Sequence, residues 1–427
     1  QLATKLRGTY GRPFAWLTGH FPRAIAIFGV VTGLASVALT AHYVVSDPME
    51  YDMSNTRNDP KTTETSAREL GHKVEKIVGR QGQDGLAIMV DRVDQVLPLK
   101  AALDARRDAA PADRKPFDKV VTIFDLVPSD QETKIELVAE ARDKLMRAQR
   151  RGFFSEADWA AIEKQLPPED LRPIGVDDLP EQVARSFVEK DGTRGRLVFI
   201  VPASGRSVWD AHYLIEWADS FRETTLPDGS VIRGSGRSVI FADMILTVVE
   251  DAPKAIFASL GGTLLILFIA FRGRKSALAV AATVLLGIAW MMALMALYNS
   301  TVTFEGGRPQ IVVESMKLNF LNFVALPISI GVGADYAVNV MQRYRIAGGK
   351  QLRRVILETG GAVILCSLTT TLGYFALTLS VNRAIVSFGV VAAAGEVGCV
   401  LAAVLVLPAF LEWRERRARA ADASASA

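Results

Sequence analysis

Cysteine is almost absent from this chain. Cys366 and Cys399 are the only two in 427 residues, and both fall inside apolar runs, where a free thiol packs as a small hydrophobe. The polar part of the sequence has none, which excludes a disulfide framework there. The four histidines, His20, His42, His72 and His212, are scattered without ligand spacing, so no metal site is expected. Charge of neither sign dominates: 49 Lys+Arg against 46 Asp+Glu gives no electrostatic reason for a nucleic acid partner. No nucleophile motif, metal set or phosphate loop occurs, so an enzyme is the least favoured class. The pair Gly261-Gly262 lies in an apolar run and reads as helix packing.

What the chain has is long apolar runs. Half of its residues are hydrophobic, yet 22% are charged, too many for a chain embedded wholly in lipid. A span needs roughly 20 mostly apolar residues, and about six such runs occur: Pro22 to Val45, Ala255 to Phe271, Ser276 to Tyr298, Leu318 to Val340, Ala362 to Leu379 and Ala384 to Leu411. Between the first two lies a polar stretch, residues 46–243, expected to form an extramembrane domain. Basic residues cluster before the first span (Lys5, Arg7, Arg12, Arg23), between the second and third (Arg272, Arg274, Lys275), between the fourth and fifth (Arg343, Arg345, Lys350, Arg353, Arg354) and after the sixth (Arg414, Arg416, Arg417, Arg419). With six spans all four clusters fall on one side, the cytoplasmic one. The large domain then faces the opposite side, the periplasm of a bacterium with two membranes. Residues 1–21 and 412–427 are expected in the cytoplasm, and spans two to six occupy residues 244–411. The chain opens Gln1-Leu2-Ala3 without an initiator Met and is read as a piece of a longer polypeptide. Its Ala- and Ser-rich end, Ala418 to Ala427, is expected to be disordered.

Within the polar stretch, β-rich runs alternate with helical patterns. Strands are expected at Gly85 to Val90, Val120 to Leu126, Gly195 to Val201 and near Ser230 to Gly234; helices at Gln95 to Arg106, Gln131 to Arg150 and Ser207 to Glu223. This βαβ-type order predicts an α/β domain, with the Pro-punctuated segment Ser155 to Val188 as a helical insertion. The expected fold class is therefore a membrane α-helical bundle of about six spans with a large periplasmic α/β domain.

Asp335 is the most informative residue. It sits in the fourth span, where a carboxylate costs roughly 2.5–3.5 kcal/mol even on lenient insertion scales, so an acid at that depth points to an ion or proton pathway. The other reading is a structural ion pair with a neighbouring helix. Gly331 and Gly333 permit close helix approach, and Pro327 can bend the helix toward a polar interior. On the fifth span Thr369, Thr370 and Thr371 lie at matching depth, each group roughly 12 to 13 Å from the basic edge, so a hydrogen-bonded cluster with Asp335 is expected. Tyr336, Asn339 and Ser329 are candidate supporting partners. Glu396 is a second intramembrane acid; with no polar cluster beside it in sequence, an interhelical hydrogen bond or a water-filled cavity is its simplest role, and Gly395 and Gly398 mark close packing.

The order of spans and several motifs resemble the resistance-nodulation-division (RND) superfamily of transporters. The resemblance rests on Gly331-Val332-Gly333-Ala334-Asp335-Tyr336 with Gln342-Arg343-Tyr344, on Thr369-Thr370-Thr371-Leu372-Gly373-Tyr374-Phe375-Ala376-Leu377 through Ser380, and on Phe388-Gly389 and Leu407-Pro408-Ala409. The Asp-Tyr pair looks like the lipid-exporting branch, which includes the mycobacterial large membrane proteins, and most like the C-terminal half of hopanoid-associated transporters of the HpnN type. That resemblance implies a porter-like periplasmic domain in the bacterial inner membrane protein, with protons as the coupling ion and no other cofactor. It further implies proton relay through Asp335, Tyr336 and the threonine triplet, and export of membrane lipids, hopanoids among them, toward the outer membrane. The expected partners are the N-terminal half of the same longer polypeptide and further copies in a dimer or trimer. A protein-translocation accessory of the same superfamily and a sterol-sensing receptor or scaffold are the competing classes.

Overall fold

The structure, a computed structural model, describes residues 2–57, 73, 86–271, 274–298, 300–305, 308–312, 315–349 and 351–426. The expectations at His72, Gly85, Arg272 and Lys350 lie outside these residues. By internal contacts the chain divides into two compact units, Gln1–Leu70 with Asp243–Ala427, and Gly71–Ala242.

The first unit opens with α1 (Leu2–His20) and α2 (Pro22–Val45). Pro22 starts α2, where a missing N–H costs nothing. Residues 46–57, expected in the extramembrane domain, join this helical unit instead. Leu318 N–H donates to Pro48 O at 2.6 Å, Glu50 N–H to Leu318 O at 2.8 Å, and buried Tyr43 donates its hydroxyl to Met316 O at 2.6 Å. These bonds satisfy backbone groups that a polar tail beside a helix end would otherwise leave open.

The second unit holds β1 (Leu86–Met89), α3 (Val96–Ala109), β2 (Phe117–Thr122), α4 (Gln131–Arg150), α5 (Glu156–Glu163), β3 (Leu197–Pro202), α6 (Ala211–Arg222), β4 (Glu223–Thr225) and β5 (Val231–Arg233). Strands and helices alternate along this unit, but the sheet runs β1-β3-β2 and β3 is antiparallel to both neighbours, where a βαβ order implies parallel pairing. Alternation along a strand reports which residues face inward and says nothing of which strand pairs with which. On β3, Val198 and Ile200 are fully buried; α3, which buries Leu99 and Leu103, packs on β2 and β3, and α6, which buries Tyr213, Leu214, Trp217 and Phe221, packs on α3. Phe199, pointing the opposite way, meets Phe187 edge-on at 5.1 Å and joins Ile123, Leu179 and Ala184 in a second cluster. The helical insertion thus roofs the second face of the sheet. Helix α4, which precedes the insertion, is pinned to it by Gln131, whose side-chain amide donates to Ile174 O at 2.8 Å and accepts from Ile174 N–H at 2.7 Å. The hairpin β4-β5 closes through Pro227-Asp228-Gly229, with Gly229 at φ +82, a conformation glycine adopts without steric cost.

The remaining helices are α7 (Arg237–Ala270), α8 (Arg274–Leu297), α9 (Ala325–Ile346), α10 (Gly361–Ala376), α11 (Arg383–Leu401) and α12 (Leu407–Ser426). A hairpin of β6 (Thr301–Glu305) and β7 (Arg308–Val312) separates α8 from α9. Among the described residues six helices are long and apolar enough to cross a membrane, so the chain is read as multi-pass. The second of them starts well before Ala255 and carries Pro253 inside it. The sixth continues through a π turn at Ala402–Val406 into α12. The expected disordered tail is therefore corrected: residues up to Ser426 are helical, as Ala-rich sequence favours, supported by Arg416–Glu412 and Arg419–Glu415 pairs one turn apart.

α8, α9 and α11 form the centre of this unit and meet at small residues. A Cβ on Gly287 would stand 2.8 Å from Cys399 Cα, and one on Gly333 2.6 Å from Cys399 Sγ. Gly287→Leu is expected to destabilise the helical unit by about 3 kcal/mol, since the obstruction is backbone and cannot swing aside; thermal denaturation in detergent measures it. In the second unit the Tyr213 hydroxyl accepts from Ala203 N–H at 2.6 Å and donates to Pro116 O at 3.0 Å. Tyr213→Phe should cost about 1–3 kcal/mol by leaving both groups unpaired. Burial pushes the Tyr213 phenol from 10.0 up to about 12, so the stability it supplies is complete below pH 10 and is lost as pH rises toward about 12. Denaturant unfolding across that window should fall less steeply in the Phe variant.

Candidate functional site

The fourth span bears the candidate residues because its helical period divides them between two faces. Ser329, Gly333, Tyr336 and Val340 point into the bundle and are buried, whereas Ile328, Gly331, Asp335, Asn339 and Gln342 form an exposed stripe. Asp335 and Tyr336, adjacent in sequence, therefore face different surroundings.

Asp335 is not enclosed by helices of this chain, contrary to the expected interior position. Its hydrogen bond comes from Asn339 Nδ2, one turn on, at 3.1 Å, and it makes no ion pair among the described residues. Nor does it meet the threonine triplet. Thr369 and Thr370 each donate their hydroxyls to Cys366 O in their own helix, at 2.7 and 3.2 Å, and Thr371 is partly buried. A threonine in an apolar helix satisfies its hydroxyl on the preceding turn, and α10 packs chiefly against α11 and α1 rather than α9. The expected hydrogen-bonded cluster of Asp335 with the threonines is therefore not formed in this structure.

Gly331 and Gly333 also part company. Gly333 lies against Cys399 of α11, while a side chain on Gly331 would meet nothing within 4 Å. Ser329, 5% exposed, points away from Asp335: its hydroxyl approaches Met291 Sδ at 3.5 Å and sits over Gly395.

The partnered acid is Glu396. It is 3% exposed, and Tyr336, equally buried, donates its hydroxyl to Glu396 Oε1. Ser367 of α10, also buried, is the third polar group of this cluster. The expectation of an interhelical hydrogen bond or cavity for Glu396 resolves in favour of the bond, and the apparent lack of a polar cluster is corrected. Tyr336 lies roughly 17 Å along α9 and Glu396 roughly 20 Å along α11 from helix starts on the same side. That shared depth was available as a signal; Ser367 carried none.

At the opposite end of α9, Glu358 accepts from Arg343 at 3.0 Å and from Arg354 at 2.7 Å, and Tyr344 donates to Glu415. These contacts tie the fourth, fifth and sixth spans together at the side carrying the basic clusters.

The MMPL family model matches residues 73–424. The chain is similar to a membrane protein of Methanocaldococcus jannaschii, 24% identical over 261 residues that make up 60% of each protein. It is also similar to an apo-petrobactin exporter of Bacillus anthracis, 26% identical over 284 residues, which cover 61% of this chain and 37% of the exporter. The chain thus spans less than two thirds of either relative. Among solved structures, a heavy metal efflux pump aligns with a TM-score of 0.33 and 16% identity over 53% of this chain and 22% of the pump.

The two thiols differ in access: Cys366 is exposed on α10 and Cys399 is buried where α8, α9 and α11 meet. N-ethylmaleimide should modify Cys366 of the detergent-solubilised chain and spare Cys399, as read by peptide mass spectrometry. Equal labelling would mean that this helix seam is open.

Proposed function

The chain belongs to the MMPL family of the RND superfamily, and on that premise we propose that it works as part of a proton-driven exporter of hydrophobic lipids. The observation that carries this reading is the Asp335 stripe. A carboxylate at membrane depth, hydrogen-bonded by Asn339 and otherwise open, is untenable against hydrocarbon and calls for a covering surface that supplies water or polar groups. We assign that cover to the N-terminal half of the same longer polypeptide, a second bundle of the same kind. The Bacillus anthracis exporter, of which the matched region is 37% against 61% of this chain, is the longer protein, which supports a larger whole.

In the assembled protein Asp335 takes up and releases the coupling proton at the junction between bundles, with Asn339 orienting it. Tyr336, turned inward to Glu396, and Thr369 and Thr370, bonded within their own helix, stand apart from this route. Glycine at position 331, which faces open space in this chain, lets the covering helix approach. Charging Asp335 changes how tightly the two bundles pack, and that work drives lipid out of the inner membrane through the periplasmic domain. An exporter among the relatives supports outward transport. Hopanoids are the substrate class we propose, with the complete protein acting as a dimer or trimer.

Asp335→Asn in the full-length polypeptide, reconstituted into vesicles with a pH gradient, is expected to lower lipid export at least 100-fold while leaving membrane insertion and thermal stability unchanged. Export at the normal rate would remove Asp335 from the relay. Mass spectrometry of lipids that co-purify should find hopanoids; bound polypeptide in their place would favour a translocation accessory.

A further inference from the structure

Glu396 lies outside the relay just described. It sits in α11 with α8, α9 and α10 packed around it, and it is 3% exposed. Its neighbour Gly395 is so close to Ser329 and Met291 that a side chain there would overlap both, so α11 packs tightly on α8 and α9 at this level. The titratable groups that face it are Tyr336 on α9, Tyr374 on α10 and Cys399 on its own helix, with Cys366 of α10 beyond Tyr336. α8 presents Gly287, Trp290 and Met291 to this part of α11. None of these is a cation, and Glu396 takes part in no ion pair among the described residues. Arg343, Arg345 and Arg383 stand at the ends of α9 and α11.

An ionised carboxylate in such a place would be held by two hydroxyls and no positive charge. A buried group in that position takes up a proton in preference to carrying an unpaired charge. The hydroxyls suit both forms. Toward the neutral acid, Tyr336 donates to the carbonyl oxygen and Ser367 can accept the acid proton; toward the carboxylate, both can donate.

We propose that Glu396 is a second, interior proton-binding site, held as the neutral acid by Tyr336 and Ser367 and separate from the open-face carboxylate Asp335. Release requires water to reach the seam between α9 and α11: the carboxyl O–H bond breaks, its electron pair stays on the oxygen, and the proton leaves on water. The charge left behind is then held by the Tyr336 and Ser367 hydroxyls. The site stands on burial and hydrogen bonding, and its test does not depend on transport.

Infrared spectra of the full-length polypeptide in lipid at neutral pH should contain the C=O band of a protonated carboxylic acid that Glu396→Gln removes and Asp335→Asn retains. In Tyr336→Phe the band should remain and move to higher frequency, because the carbonyl oxygen loses its donor. Dicyclohexylcarbodiimide, which attacks protonated carboxyl groups in apolar surroundings, should leave an adduct on the peptide carrying Glu396 in the unmodified sequence. The last two measurements serve if Glu396→Gln fails to fold. A band unchanged in Glu396→Gln, a band unmoved in Tyr336→Phe, or no adduct at Glu396 would each overturn the site. None of these results touches the assignment of Asp335, which is read from export.

Discussion

A charged oxygen inside a membrane span must have a partner, and the helical unit is organised by how it supplies them. Hydrocarbon offers no hydrogen bonds, so every polar side chain at depth is satisfied by its own helix, by a neighbouring helix or by a surface outside the chain. All three solutions occur. Thr369 and Thr370 turn back onto Cys366 O. Glu396 is met by Tyr336 from another helix. Asp335 has Asn339 and an open face.

These choices depend on close packing of the three central helices. Glycines at 287, 333 and 395 let α8, α9 and α11 come within reach of one another, and only at that separation can Tyr336 span to Glu396. In membranes, where apolar surface gains little from leaving lipid, such small-residue contacts supply much of the association energy. Packing and polar satisfaction are therefore one arrangement: a larger residue in the seam would separate the helices and strand the acid. The second unit solves the same problem in water by a different route. Its antiparallel sheet pairs its backbone groups along the ladders, and the Tyr213 hydroxyl ties Ala203 and Pro116.

Much of this was legible before any coordinates. Apolar runs of span length stand out because the bilayer sets a minimum length, and the helix Gln131–Arg150 matches its pattern end to end. Boundaries shifted where sequence signals were silent: α7 runs through Pro253, and the Ala-rich end stays helical to Ser426. The hairpin β6-β7 and the short strand β4 had patterns too brief to read. Asp335 and Asn339 were paired correctly because they sit one turn apart on one helix, a local relation. The link from Tyr336 to Glu396 joins residues sixty positions apart, and no periodicity reports which helices become neighbours.

The sequence by itself determined the solvent of each segment, because transfer of side chains between water and hydrocarbon is a property of composition and run length. It also determined which residues share a face of one helix, because the helical repeat is fixed by backbone geometry. Only the tertiary structure decided which acid is enclosed. Asp335 and Glu396 are chemically alike and similarly deep, but the packing of α8, α9, α10 and α11 places a tyrosine and a serine around one and leaves the other facing outward. That distinction arises from contacts between distant parts of the chain, which exist only after the helices have chosen their neighbours.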